Sequence, residues 1–381
     1  MTRESIAELI QAWRPKYKRA CRREKGRILD ELEHLTGYHR KSLIRALSRR
    51  SVRKGHRGRP RLYTNEVRAA LVEVWELSGR LCSKRLAPFM TEFLEVLERC
   101  GELKLRPEVK ELLLQMSPAT MDRILKLVRP ERTRKRSAPR SSRQLRGKVP
   151  VRVRWEKGIK PGYVELDLVA HCGTTTKGDY LYTLNVVDIA TSWCEPVAIR
   201  NRGWEEVTRA LEEVRGRMPF PLLGIDSDND SAFLNGHLLK WCRKEAVEFT
   251  RCRPYRKNDQ AHVEQKNWVA VRQLIGYDRY EGDEEAVLLK EVYRDWRLLV
   301  NFFQPVQKLV GRYREGSKVR RIFDKPRTPY QRVLERPEVP EGEKEKLRKF
   351  YRSLNPVRIR RRMEANLRKL KKLRKSPNFE A

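Results

Sequence analysis

Three carboxylates stand where their surroundings make them candidates for chemistry. Asp167 interrupts an apolar run of Val164, Leu166, Leu168 and Val169, and Asp228 follows a second run containing Leu222, Leu223 and Ile225. Glu264 comes after a gap of 35 residues, on a segment whose apolar spacing predicts a helix. A lone acid in an apolar strand ordinarily caps something or marks the strand end. Three from separate elements instead form a set of hard oxygen donors, the kind that divalent cations such as Mg²⁺ take. The middle member is ambiguous from spacing alone, because Asp226 and Asp228 alternate onto the same face of an extended segment.

Most of the remaining chain is basic. Its 381 residues carry 86 Lys and Arg against 50 Asp and Glu, a net charge of +36, far more than solubility requires. Cationic side chains gain affinity for a polyanion by releasing its counterions, so nucleic acid is the expected partner. No apolar run approaches a membrane span, and the N-terminal pattern fits neither a signal nor a transit peptide. The seven cysteines include no C-x-x-C pair, and no histidines fall beside them at zinc-ligand spacing. Free thiols in a reducing cytoplasm, and so an intracellular protein, are the expectation.

The elements that must position the carboxylates follow from periodicity. Residues 1–130 read as all-α, with two helix-turn-helix candidates. In the first, Ile28, Leu29, Leu32 and Leu35 precede a turn at Gly37. A second helix there carries Leu43, Ile44 and Leu47 inward and offers Arg40, Lys41 and Arg45 to a DNA groove. In the second candidate, Met121, Ile124 and Leu125 face inward and Arg123 outward, after a Ser117-Pro118 cap. Between them, Arg57-Gly58-Arg59-Pro60 resembles the core of an AT-hook, and narrow minor grooves attract arginines such as Arg57 and Arg59. A plain basic linker explains that stretch about as well. Residues 131–160, with twelve Lys and Arg against two acids, read as a basic linker.

From 161 to 304 the pattern turns strand-like and then alternates. Strands are predicted over 163–171, 180–189 and 195–200, a helix over 204–217, a strand over 222–226, a helix over 234–245, a strand over 247–252 and a helix over 262–275. This βββαβαβα order is that of a ribonuclease H-like domain, an α/β core with a five-stranded mixed sheet and flanking helices. A strong helix over 284–303 follows. Residues 305–381 form a small basic C-terminal region, in which 306–325 reads as short strands and 357–375 carries ten Lys and Arg against one Glu.

The segments ELDLVAHCGTTTKGDYLYTLNVVDIATSWCE, DSDNDSAF and RPYRKNDQAHVEQKNW resemble the integrase-type (D-D-E) transposases of bacterial insertion sequences, which share their core with retroviral integrases. NFFQPVQKL and TPYQRVL extend the resemblance to about residue 335. It implies that Asp167, Asp228 and Glu264 are both the catalytic residues and the metal ligands, with Asp167 bridging two Mg²⁺ ions for which Mn²⁺ substitutes. The family places its middle ligand just before Asn, which selects Asp228 over Asp226. Asp230 stands where the family usually has Gly, and a solvent-facing side chain is expected there. The resemblance further implies metal-dependent cleavage at transposon ends and transfer of the freed 3′-hydroxyl into target DNA, by a homo-oligomer assembled on the DNA. Arg256, Lys257 and Lys266 flank the last carboxylate and are expected to position end DNA. A structure-specific nuclease on the same fold, or a catalytically silent integrase-derived regulator, remains an alternative.

Overall fold

A computed structural model describes residues 3–48, 62–129, 158–228, 230–252 and 261–374. The chain divides into two compact units, Met1–Leu62 and Tyr63–Ala381. The first holds α1 (Arg3–Arg19), α2 (Arg22–Thr36) and α3 (Arg40–Ser48). Their helically spaced apolar residues Ile6, Ile10, Ile28, Leu29, Leu32, Leu43 and Leu47 form one buried core. Helix α2 stops at Gly37, whose φ of 69° is left-handed and sends its N–H back to the Glu33 carbonyl. The Glu33 carboxylate accepts the Arg40 backbone N–H at 3.2 Å, which joins the end of α2 to the start of α3.

The second unit opens with α4 (Asn65–Leu77), α5 (Ser83–Arg99), α6 (Pro107–Leu114) and α7 (Pro118–Leu125). Thr64 caps α4 by accepting the Val67 N–H, and Ser117 caps α7 by accepting the Thr120 N–H, with proline in the first turn where a missing N–H costs nothing. Leu71, Leu86, Met90, Leu94, Leu97, Met121 and Leu125 close a helical core.

The ribonuclease H-like sheet follows: β1 (Tyr163–Ala170), β2 (Tyr182–Asp188), β3 (Cys194–Ile199), β4 (Gly224–Ser227) and β5 (Glu248–Arg251), in the order β3-β2-β1-β4-β5. The first three strands pair antiparallel; β4 pairs parallel to both β1 and β5. Two-residue alternation gives the sheet two faces. Val164, Leu166, Leu184, Val186 and Ile225 pack against α8 (Trp204–Arg217) and α9 (Gly236–Lys244), through Val207, Leu211, Val214 and Leu238. Val169, Val187 and Cys194 belong to the core on the other face, shared with α10 (Ala261–Asn267) and α11 (Asp283–Phe303). Gly162 lets β1 and β4 approach. Its φ is 107°, and a Cβ there would lie 2.2 Å from the Pro221 carbonyl oxygen.

The C-terminal region is not a separate appendage. A hairpin of β6 (Leu309–Glu315) and β7 (Lys318–Phe323) leads to α12 (Pro329–Leu334), α13 (Glu341–Ser353) and α14 (Pro356–Lys372). These helices join the core around α11. Buried Asp295 of α11 holds the Arg362 guanidinium of α14 through two hydrogen bonds. They also seize the preceding helical region: Glu92 of α5 accepts the Tyr351 hydroxyl at 2.7 Å, and Glu102 accepts the Asn355 side-chain N–H at 2.8 Å. Val357 enters the core of α4–α7. Compact units therefore part at 62/63, not at the basic linker after residue 130, because the C-terminal helices bury apolar surface on both sides of that linker. Residues 49–61 and most of 131–160, with the AT-hook-like stretch, lie outside the described residues.

Phe302 sits where these parts meet, its ring 5.4 Å from Trp193, 5.3 Å from Tyr330 and 5.6 Å from Phe350. Truncating a buried aromatic loses its transfer free energy and leaves a cavity. Phe302→Ala is expected to destabilise the chain by ~3–5 kcal/mol, read as a lower denaturant midpoint.

Candidate active site

The parity that sends Val164 and Leu166 toward α8 and α9 sends Glu165 and Asp167 to the opposite face, under α10. Parallel pairing then matters. Glu165 is level with Asp226 and Leu166 with Ser227, so Asp167, inside β1, lies beside Asp228, the first residue after β4. Ligand sites in open α/β sheets occur near the carboxyl ends of strands, and β4 ends here.

Several acids of the sheet are consumed by structure. Glu165 is buried and accepts the Val263 backbone N–H at 2.8 Å, tying down the start of α10. Asp226 is buried and accepts the Thr250 hydroxyl from β5 at 2.7 Å. Asp188 accepts the Gly162 N–H and both the N–H and hydroxyl of Thr191. Asp228 differs. It is half-buried, and one of its oxygens accepts the Asp230 backbone N–H at 2.9 Å.

Asp167 is oriented from two sides. The Leu168 N–H donates to Oδ1 at 2.8 Å, and the Asn267 side-chain N–H donates to Oδ2. Asn267 is itself fixed by Asn185, the register partner of Asp167 on β2, whose amide donates to its Oδ1 at 2.7 Å. The Cys194 thiol donates to Asn185 at 3.2 Å. Asn185 and Asn267 escaped the sequence analysis, although Asn267 lies one helical turn after Glu264, a spacing that places both on one side of α10. After Asn267 the helix continues as a single π-turn over Trp268–Arg272, a feature frequent at functional sites.

Electrostatics mark the same place. Burial, then the charge of Asp228, pushes the Asp167 pKa up to about 8, with Glu264 and Asp230 adding to the rise and the Leu168 N–H opposing it. Burial pushes Asp228 up to about 6; the Asp230 N–H opposes this and the Asp230 carboxylate adds to it. Glu264 is exposed on α10, within electrostatic reach of Asp167. Among the described residues no three His, Cys, Asp or Glu side chains stand together as one metal-holding group. The strand-borne pair is thus placed by the sheet, while the third carboxylate rides on a helix beside it. Hard carboxylate oxygens, without imidazole or thiolate, are donors of the kind that divalent cations such as Mg²⁺ take.

Asp230 does not face solvent as expected. Its carboxylate accepts the Ala232 N–H at 2.9 Å and lies 3.5 Å from the Arg202 guanidinium, while its carbonyl accepts the Phe233 and Leu234 N–H groups. A carboxyl three residues beyond a strand end can close the following turn on itself, and that local bonding draws it inward.

The expected DNA-facing residues divide. Lys41, Arg45 and Arg123 are exposed. Arg40 is half-buried, hydrogen bonded to Asp30 and, at 3.3 Å, to the Gly26 carbonyl. Lys266 is buried, and burial lowers its ammonium pKa; it lies on the core side of α10 between Val263 and Ala270, so it does not present a charge to DNA from the surface. Arg57, Arg59, Arg256 and Lys257 fall outside the described residues.

Residues 159–257 match the family model for the integrase core domain. An uncharacterized protein, y4rM, of Sinorhizobium fredii is 46% identical over 329 residues, covering 85% of this chain and 94% of its own. The chain belongs to the integrase family. Among solved structures, this integrase-type protein is similar to the catalytic core domain of HTLV-2 integrase in complex with magnesium (15% identity, 39% of this chain and 93% of that one, TM-score 0.30). It is also similar to the catalytic core domain of BIV integrase (16% identity, 46% and 94%, TM-score 0.30). Likeness at that level adds nothing to the argument from geometry.

The crowding of Asp167 has a measurable consequence. Its ordinary pKa is 3.8 and its folded value about 8, so between those values the folded chain holds a proton that the unfolded chain has released. Stability is therefore lost as pH rises through this window. In chelator, Asp167→Asn is expected to raise stability at pH 8 by ~2 kcal/mol, less than the full shift implies because the residue is partly solvated, with the gap closing near pH 4. Thermal midpoints of the two proteins across pH check this.

Proposed function

We propose that this integrase-type chain is a DNA transposase that cleaves at the ends of a mobile element and joins the freed 3′-hydroxyls to target DNA. The observation that carries the reading is the side-by-side placement of Asp167, inside β1, and Asp228, just past the end of β4, with Glu264 on the helix above. Asp167, Asp228 and Glu264 would hold two divalent cations. When bound, these ions supply the positive charge that stabilises the attacking and leaving oxygens of an in-line displacement at phosphorus.

The chain's own residues supply the rest. Asn267 and the Leu168 N–H aim the two oxygens of Asp167, and the Asp230 turn aims Asp228. Ionisation of Asp167 is costly in isolation, so the site favours the fully charged carboxylate only when positive charge is brought to it. Neither hydrolysis nor strand transfer requires a protein nucleophile. A water, and then the 3′-hydroxyl, attacks phosphorus directly. The exposed Lys41 and Arg45, with Arg40 on the same short helix, and the exposed Arg123 on another support end recognition by helix-turn-helix contacts. Arg57, Arg59, Arg256 and Lys257 belong to the same reading as backbone contacts, and a homo-oligomer holding both ends completes it.

The deciding experiment incubates the chain with the terminal sequences of its element and Mg²⁺ or Mn²⁺. Wild type is expected to nick and join. Glu264→Gln is expected to retain DNA binding and lose both reactions, whereas unchanged nicking would remove Glu264 from the site. Binding without cleavage by wild type would favour the regulator, and cleavage without joining the nuclease. Asn267→Ala, which frees the Asp167 carboxylate, is expected to slow cleavage ~10–100-fold, the usual cost of losing a group that orients a metal ligand. Raising the Mg²⁺ concentration should recover part of that loss.

A further inference from the structure

The hairpin β6–β7 is built unlike the rest of the chain. Its base is pinned hard. The Lys308 ammonium donates to the Ile189 and Ala190 carbonyls of the core, and the Lys308 N–H donates to Asp324 at 2.7 Å. Asp324 in turn pairs with Arg332 at 2.8 Å, and Val306 and Arg327 bridge the two strands below. Beyond that base the hairpin stands free. Every residue of β7 is exposed and so is all of β6 except half-buried Gly311. Val319, Ile322 and Phe323 are 52%, 48% and 49% exposed. A two-stranded hairpin is at best marginally stable in water alone.

Its side chains indicate what would cover it. Residues 309–323 include Arg312, Arg314, Lys318, Arg320 and Arg321 against the single acid Glu315. Arg312 is directly opposite Arg321 in the register. Like charges facing each other across a strand pair oppose its formation. That arrangement becomes favourable when a polyanion lies against it. Arg314 stands opposite Val319 two residues along, on the same face.

We infer that this hairpin is a DNA-binding arm, a two-stranded ribbon that enters the major groove of duplex DNA with Arg312, Arg314 and Arg321 against the phosphates. A B-form major groove, about 12 Å wide, admits a two-stranded β-ribbon, whereas the A-form major groove of duplex RNA is too narrow to be read by side chains. The exposed Val319 and Phe323, which alternate onto the face of Arg321, are of a kind to meet base edges and thymine methyl groups there. This inference rests on the reading of the chain as a DNA-acting protein and adds a contact surface that belongs to neither helix-turn-helix candidate nor the carboxylate site.

The test is a fluorescence-anisotropy titration of the full chain on a labelled mixed-sequence duplex at several salt concentrations. Wild type is compared with the triple variant Arg312→Ala, Arg314→Ala, Arg321→Ala. Each lost phosphate contact removes about 0.9 from the slope of log K against log salt, so the slope should shrink by about 2 to 3. Affinity should fall tenfold or more, with the thermal midpoint unchanged because the pinned base is intact. Unchanged slope and affinity would overturn the inference. It would also be overturned if Val319→Ser with Phe323→Ser shifted the sedimentation of the free chain to a smaller species while the triple variant bound DNA as wild type, since the arm would then join copies of this chain. Binding is read without cleavage, so the two readings fail separately. A wild type that binds through the arm but never nicks defeats the transposase; a triple variant that binds normally while Glu264→Gln loses nicking defeats only the arm.

Discussion

Parallel pairing of β1 with β4 is the constraint on which the rest of the molecule depends. It sets Asp167 and Asp228 side by side on the two middle strands of the sheet, where their charges oppose each other in a partly buried place. Such an arrangement persists only because other interactions hold it. Gly162 permits the approach of the two strands, Thr250 retains Asp226, and Val263 N–H with Glu165 fixes the helix that closes over the pair. The stored repulsion is what makes the site receptive to positive charge.

Beneath it lies a polar layer inside an otherwise apolar face. Cys194, Asn185, Asn267 and Asp167 form a hydrogen-bonded series crossing β3, β2, α10 and β1. Buried polar groups are costly unless satisfied, so this series allows few alternative rotamers. Rigidity of that kind suits a site whose donors must stay in place while charge builds on a substrate, because preorganised groups need no rearrangement at the moment of reaction.

The outer parts answer a different demand. Helices α12–α14 wrap α11 and reach α5, so the helical region before the linker and the sheet after it share one compact unit. Glu92 and Glu102, acids within a strongly basic chain, are retained as acceptors where the C-terminal helices land. Among the described residues many arginines and lysines are left on surfaces, with exceptions such as Lys266, which is buried on α10.

By itself the sequence determined the element order, the family and the identity of Asp167 and Glu264 as candidates, because period-two and helical apolar patterns are local and carboxylates within them stand out. Its spacing left Asp226 and Asp228 as equals on one face, and the family resemblance alone favoured Asp228. The tertiary structure distinguished them: a hydroxyl from β5, distant in the chain, consumes Asp226, whereas Asp228 ends beside Asp167. The same kind of long-range information buried Lys266 and recruited Asn185 and Asn267, whereas Asp230 was turned inward by the local bonding of its own turn. Partners that meet through a sheet register or a helix packed across it are fixed by the whole chain's packing. Only the folded chain could decide them.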